Sequence, residues 1–176
     1  MKTVIFHYHI FKNAGTSLDA AFKKNFSAVD NLWLTKEFPA NPALNRSQVE
    51  MWLKDNPYAR CFSSHTMIFP TPKVDGIKVL PVVYLRHPLD RIMSAYYFER
   101  QQKDKNFGSV LAKNTSLSGY IKTRLALQGD MQCRNFQAKK FATMYGHKKG
   151  NEMERAVLAY DNLPFVGLVE KFSESL

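Results

Sequence analysis

Lys12, Gly15, Thr16 and Ser17 lie within six positions of one another, in the run Phe11-Lys12-Asn13-Ala14-Gly15-Thr16-Ser17. These are residue types that hold phosphate. Gly15 lets the backbone approach an anion without an intervening Cβ. Thr16 and Ser17 offer hydroxyl donors, and Lys12 brings a mobile positive charge to a phosphoryl group or its leaving oxygen. A second group occurs in Leu85-Arg86-His87-Pro88-Leu89-Asp90-Arg91-Ile92-Met93-Ser94. Here a guanidinium at Arg86 and a hydroxyl at Ser94 can converge on one phosphate, with the arginine supplying bidentate geometry. Two such groups call for a ligand with two separated phosphates.

The elements needed to position them are legible. Residues 4–10 are apolar, β-branched or aromatic and predict a buried strand. In the run that follows, Leu18, Ala21 and Phe22 share one helical face. Strand, small-residue loop and helix make a phosphate cradle, because loop N–H groups and the helix N-terminus both face the anion. The loop departs from the triphosphatase form G-x-x-x-x-G-K-[ST]: Gly-Thr-Ser replaces Gly-Lys-Ser/Thr, and the lysine lies three residues before the glycine. An ordinary strand-to-helix turn with a surface lysine is the competing reading of this loop alone.

Farther along, residues 28–34 read as a short strand or turn, and 37–45, with Pro39 and Pro42, as a loop. Ser47-Gln48-Val49-Glu50 matches a capping box opening a short helix that Asn56-Pro57 ends. Residues 58–65 predict a strand with a polar tip at His65. Residues 78–86 predict another, with an irregular start at Pro81. Pro88 opens a helix with an apolar stripe of Leu89, Ile92, Met93, Tyr96 and Tyr97. Residues 103–117 read as a flexible insertion. Helices are expected over 118–128, 136–144 and 152–163, the last with Met153, Ala156, Val157 and Tyr160 facing inward, and a strand over 165–169. Strands alternating with helices imply an α/β fold with a central parallel sheet, and 176 residues fit a single domain.

The formal charge of +10 asks for an anionic partner. The basic groups are short (Lys23-Lys24, Lys139-Lys140, His147-Lys148-Lys149), and each taken alone also fits a solvated face. Cys61 and Cys133 show no metal-binding spacing; free thiols and one disulfide both remain open. No apolar run has the length of a membrane helix, and the N-terminus does not read as a signal peptide. The expected location is therefore cytoplasmic, or Golgi-luminal if this is an excised domain.

The two motifs together resemble a known family. His9-Ile10-Phe11-Lys12-Asn13-Ala14-Gly15-Thr16-Ser17-Leu18 is similar to the opening motif of carbohydrate sulfotransferases of the heparan sulfate 2-O- and 6-O-sulfotransferase type, and the run from Arg86 to Tyr96 to their second motif. Asn135-Phe136-Gln137 and Gly167-Leu168-Val169-Glu170-Lys171-Phe172 are weaker signatures. The resemblance implies a P-loop-like three-layer domain and 3′-phosphoadenosine 5′-phosphosulfate (PAPS) as donor, with adenosine 3′,5′-bisphosphate (PAP) as product. It assigns Lys12, Asn13, Ala14, Gly15, Thr16 and Ser17 to the 5′-phosphosulfate, and Arg86 and Ser94 to the 3′-phosphate. Two departures accompany it. His87 replaces an acidic residue, and the chain ends where such domains continue into a loop closing over the nucleotide.

The chemistry expected is in-line displacement at sulfur, driven by positioning and by charge neutralisation at the leaving oxygen, with Lys12 supplying that charge and no metal required. A hydroxyl nucleophile benefits from a general base. His65, at a strand's C-terminal end, stands where catalytic side chains of parallel sheets lie, and the resemblance points to the same position. His7 and His9 share one strand face, His9 being nearer the cradle. An anionic carbohydrate is the expected acceptor, with Arg134, Asn135, Gln137, Lys139 and Lys140 as residues that could line its cleft. Three alternatives stand beside this reading. A nucleotide kinase or triphosphatase would place lysine directly after the loop glycine and an aspartate at a strand end. A nucleic-acid-binding module would show an aromatic–basic surface, and none is evident. A sulfotransferase-like protein that binds without turnover is the third.

Overall fold

The computed structural model describes residues 1–26 and 32–175. They form an α/β domain built on one five-stranded sheet flanked by helices in three layers. The strands are β1 (Lys2–Tyr8), β2 (Trp33–Thr35), β3 (Cys61–Ser64), β4 (Ile77–Leu85) and β5 (Val166–Leu168). Their order is β2-β3-β1-β4-β5, and every pairing is parallel. Along β1, alternate residues serve two layers, as pleating requires. Val4, Phe6 and Tyr8 join the main core with Trp52, Phe62, Phe69 and Phe141. His7 lies on the other face, in register with Ser63 of β3 and against Phe22 of helix α1 (Gly15–Phe26).

Several expectations change in detail. The helix placed at Ser47 begins earlier, as α2 (Pro42–Asp55). Asn41 caps it by accepting from the Leu44 N–H, and Pro42 occupies the first turn, where its missing N–H costs nothing. A proline read as loop is thus a helix start. β4 runs unbroken through Pro81, which faces Phe6 of β1. β5 pairs only with Val83 to Leu85, so the outer side of β4 is free at the proline, where no ladder donor is required. The strand expected over 58–65 is shorter, starting at Cys61. Of the short element expected over 28–34, residues 28–31 lie outside the described residues, and β2 covers its end. Cys61 and Cys133 are free thiols.

Residues 103–117 do not form a structureless insertion. They contain α4 (Phe107–Asn114), capped by Asn106 and with Gly108, Ser109 and Ala112 buried. It packs with α3 (Pro88–Gln101) and α5 (Leu117–Ala126) around Tyr96, Ala112 and Tyr120. The expected apolar stripe of α3 is largely outside: Leu89, Met93 and Tyr97 are exposed, whereas Arg91 and Glu99 are buried. Glu99 accepts from Arg124 at 2.7 Å, from the Tyr120 hydroxyl at 2.8 Å and from the Gln132 amide at 3.2 Å, and Arg124 reaches Asp130 at 2.6 Å. The α3 face therefore buries an ion-paired charge network, in which Arg124 Nε is left without a partner among the described residues, and a reading by hydrophobic period cannot anticipate it. That network holds the helix carrying Ser94.

The remaining helices are α6 (Phe136–Ala142) and α7 (Glu152–Asn162). On α7 only Ala156 and Ala159 are buried; Met153, Val157 and Tyr160, expected to face inward, are about half exposed and border an open groove. Among the described residues no helix is long and apolar enough to cross a membrane.

Truncating Arg124 strands the Glu99 charge in the interior. Arg124→Ala is expected to destabilise the fold by about 3–5 kcal/mol, read as a lower urea midpoint; an unchanged midpoint would show that the network contributes nothing.

Candidate functional site

In the strand order β1 and β4 are neighbours, and the chain leaves β1 toward β2 on one side and β4 toward β5 on the other. Such a switch point opens a crevice beyond the strand C-termini, where parallel sheets bind ligands. Three segments meet there: the 9–17 loop after β1, His65 after β3, and Arg86 after β4. A cleft of about 250 Å³ at this point is lined by His9, Phe11, Lys12, Ala14, Gly15, Thr16, Ser17, His65, Arg86, Ser94 and Phe98. Residues separated by about 80 positions thus share one space rich in cations, imidazoles and hydroxyls, with no carboxylate among its lining residues.

The loop is held in an unusual shape. Lys12 and Ala14 both have positive φ, 64° and 58°, a region that non-glycine residues enter at a cost. Between them Asn13 turns inward and is 2% exposed. Its amide donates to the Tyr84 carbonyl and to Gln137 Oε1, both at 2.6 Å. Gln137 in turn accepts from the Arg86 N–H at 2.9 Å and donates to the Arg86 carbonyl at 2.8 Å. Lys12 stays on the cleft side, its ammonium 4.3 Å from the Phe98 ring centroid, while its carbonyl accepts from the Arg86 guanidinium at 3.3 Å. Burial, and secondarily the Arg86 charge, lower the Lys12 pKa.

The structure sorts the expected site residues. Lys12, Ala14, Gly15, Thr16, Ser17, His65, Arg86 and Ser94 line the cleft. Asn13 and Gln137 do not; their side chains are engaged in the knot that joins the loop to β4. Arg134 bonds the Leu125 carbonyl, Asn135 sits exposed at the start of α6 with φ 49°, and Lys139 is exposed. Lys140 is the residue of this group that approaches the histidines. With Tyr8, His9, Ser64 and His65 it lines a small pocket beside the cleft, and burial lowers its pKa. Arg91 points away, to Gln132 and over the Phe136 ring.

The imidazoles are not isolated. His9 Nδ1 lies 2.9 Å from Asp19 Oδ2, His7 Nδ1 lies 2.7 Å from Asp19 Oδ1, and the Ser63 hydroxyl donates to that same oxygen at 2.5 Å. These bonds hold the Asp19 carboxyl well below the usual carboxylate range, against the opposing effect of its burial. His7, Asp19 and His9 have a donor set suited to a small cation, with ligand atoms within 4.8 Å of one another. Their separations are those of hydrogen bonds, and both carboxylate oxygens are taken. The His65 ring lies against His9, tilted 36° to it, with centroids 3.7 Å apart. Burial, then the neighbouring His9, lower the His65 pKa, and Glu37 and Asp19 partly oppose this. A lowered value leaves His65 neutral near pH 7, the form that accepts a proton.

Gly15 has a structural reason for being glycine. A Cβ there would lie 1.9 Å from His9 Cδ2. The cradle and the histidine are packed against each other. Asp19 and Phe98 are the functional positions that sequence reasoning missed. The signal for Asp19 was the His7/His9 pair on one strand face, which needs a polar partner from the helix packed on that face. Phe98 lies one turn beyond Ser94.

No family model matches the sequence. It is 38% identical over 182 residues to a protein of Archaeoglobus fulgidus described as uncharacterized, with 99% of this chain and 71% of that one covered. The chain belongs to that protein's family. Identity at this level extends along the whole chain, so the fold described above serves as the family's frame over the shared length.

Gly15→Ala is expected to lower stability by about 1–3 kcal/mol through overpacking against His9, seen as a reduced melting temperature. An unshifted melting temperature would mean that the ring moves freely and that the packing of loop on histidine is not a constraint.

Proposed function

We propose that this protein is a sulfotransferase that uses PAPS as donor and a carbohydrate hydroxyl as acceptor. One observation carries the reading: a single cleft receives Lys12, Gly15, Thr16 and Ser17 from one motif and Arg86 and Ser94 from the other, with His65 at its border. A ligand with phosphates at two separated positions matches a site with two anion-binding ends. The helix N-terminus and the hydroxyls of Thr16 and Ser17 suit the 5′ end. Arg86 and Ser94 suit the 3′-phosphate.

In this reading His65 takes the proton of the acceptor hydroxyl while its oxygen bonds to sulfur, and the bond from sulfur to the bridging oxygen breaks. Lys12 neutralises the charge left on the departing phosphate, so PAP is the product. The residues supply position, charge and a base, which is all that an already activated donor demands of them. Lys140, half buried beside His65, and the net charge of +10 support an anionic sugar as acceptor.

Calorimetric titration tests the donor. PAP is expected to bind in preference to ATP, and Arg86→Ala to weaken it by about 10–100-fold, the equivalent of one charge-assisted hydrogen bond of about 1.5–3 kcal/mol. His65→Ala is expected to leave that affinity intact and to lower sulfuryl transfer by about 10²–10⁴. Tighter, magnesium-dependent ATP binding would replace this reading with a kinase. Intact PAP binding without transfer to any sulfated or uronate-containing polysaccharide would leave a binding protein.

A further inference from the structure

The hydrogen-bonded cluster beneath the cleft is not accounted for by donor binding. His7 is 1% exposed and cannot touch a ligand, and Asp19 is not among the residues that line the cleft. Yet a charged carboxylate has been placed among two imidazoles and a hydroxyl, where an apolar packing would be simpler. Its two oxygens divide the work. Oδ1 is held by His7 and Ser63; Oδ2 faces His9 Nδ1. An ionised carboxylate accepts only, so His9 must donate from Nδ1, and the Nδ1–H tautomer is the one this contact selects for the neutral ring. The ring so oriented is clamped between Gly15, which it crowds, and His65, whose tilted ring lies against it with centroids 3.7 Å apart.

We propose that Asp19 is a positioning residue for proton transfer: it locks the tautomer and plane of His9, and through that ring it places His65 and supports the positive charge His65 acquires. The inference rests on the proposed role of His65 as base, and it names the groups that set that base. His65 is faced by His9 from the end of β1, by Asp19 from α1 behind it, by Glu37 from the segment after β2, by Lys140 from α6, and by Lys12 and Arg86 across the cleft. Glu37 accepts from the His65 N–H at 3.2 Å and from Thr66 Oγ1 at 2.6 Å, so it holds the loop backbone. Asp19 holds the His9 ring against which His65 lies. When His65 takes a proton from the acceptor hydroxyl, no second transfer is needed. The imidazolium is balanced by the Asp19 carboxylate one ring away, and the proton leaves to water after the product.

The sign of the effect follows. Asp19 favours the charged form of His65. Removing its charge lowers the His65 midpoint further, weakens the base, and moves the acidic limb of kcat/KM to lower pH, while the anion-binding residues stay in place.

Nitrogen-15 and proton NMR of the histidine rings tests this without any substrate. In the wild type, His9 is expected as the Nδ1–H tautomer, and the His65 titration midpoint is expected to fall in Asp19→Asn. An Nε2–H tautomer for His9 in the folded wild type overturns the proposal even if the variant does not fold. So does a His65 midpoint unmoved in a folded Asp19→Asn. In sulfuryl transfer, Asp19→Asn is expected to reduce kcat about 10-fold, part of the 10²–10⁴ a general base contributes, with KM for the donor and PAP affinity unchanged. A loss of PAP affinity equal to the loss of kcat would show a merely structural role. If the NMR outcomes hold and no transfer occurs, the sulfotransferase reading fails while the coupling of Asp19 to the histidine pair stands.

Discussion

The Gln137 side-chain amide binds the site together. It takes the Arg86 N–H and the Asn13 amide on its oxygen and returns a hydrogen bond to the Arg86 carbonyl. Asn13 adds a second tie to β4 at the Tyr84 carbonyl. The effect is to fix the end of β4 against the loop after β1, so that the two motifs keep one separation. The two left-handed residues, Lys12 and Ala14, are the cost of turning Asn13 inward. The cost is offset in part by the buried bond from Asn13 to the Tyr84 carbonyl, whose loss would leave buried polar groups unpaired.

Around that knot the sheet divides its labour by face. The side of β1 bearing Val4, Phe6 and Tyr8 packs an aromatic core that resists deformation. The opposite side bears His7, with His9 just beyond the strand end, and meets α1 with Asp19 facing it. One strand thus supplies both the rigid support and the titratable groups. The polar face is tolerable because its charge is answered: both Asp19 oxygens are occupied, and Ser63 bridges to β3. A half-satisfied cluster in the same place would be unstable.

The helical layer around α3 also buries charge, on a larger scale. Glu99, Arg124, Asp130 and Tyr120 bury charge in mutual contact and leave the outward side of α3 to apolar residues at Leu89 and Met93. Gly108 is needed there, since a Cβ would come within 2.5 Å of Arg124 Nη2 and Glu99 Oε2. The position of Ser94 in the cleft therefore depends on an ion network set well away from it.

Much of this architecture is legible in local chemistry. The strand–loop–helix of residues 4–26, the Arg86 and Ser94 pair, the parallel α/β class and the placement of His65 at a strand end all follow from short-range pattern, because period, propensity and small-residue loops are properties of neighbouring residues. What pattern could not supply is which polar side chains meet. Gln137 reads as a ligand-binding amide and is a brace. Asp19 has no neighbour in sequence that marks it, and it sits among two histidines. Met153, Val157 and Tyr160 read as core and lie at the edge of a groove. The expected insertion at 103–117 is a packed helix, since capping by Asn106 and burial against α3 outweigh its polar composition. Each of these outcomes depends on contacts between segments that are distant in the chain. Sequence determined the elements and the chemistry available at their ends; the tertiary structure alone decided which groups face the cleft and which hold it in shape, because hydrogen-bond partnership and burial are settled only when distant segments pack together.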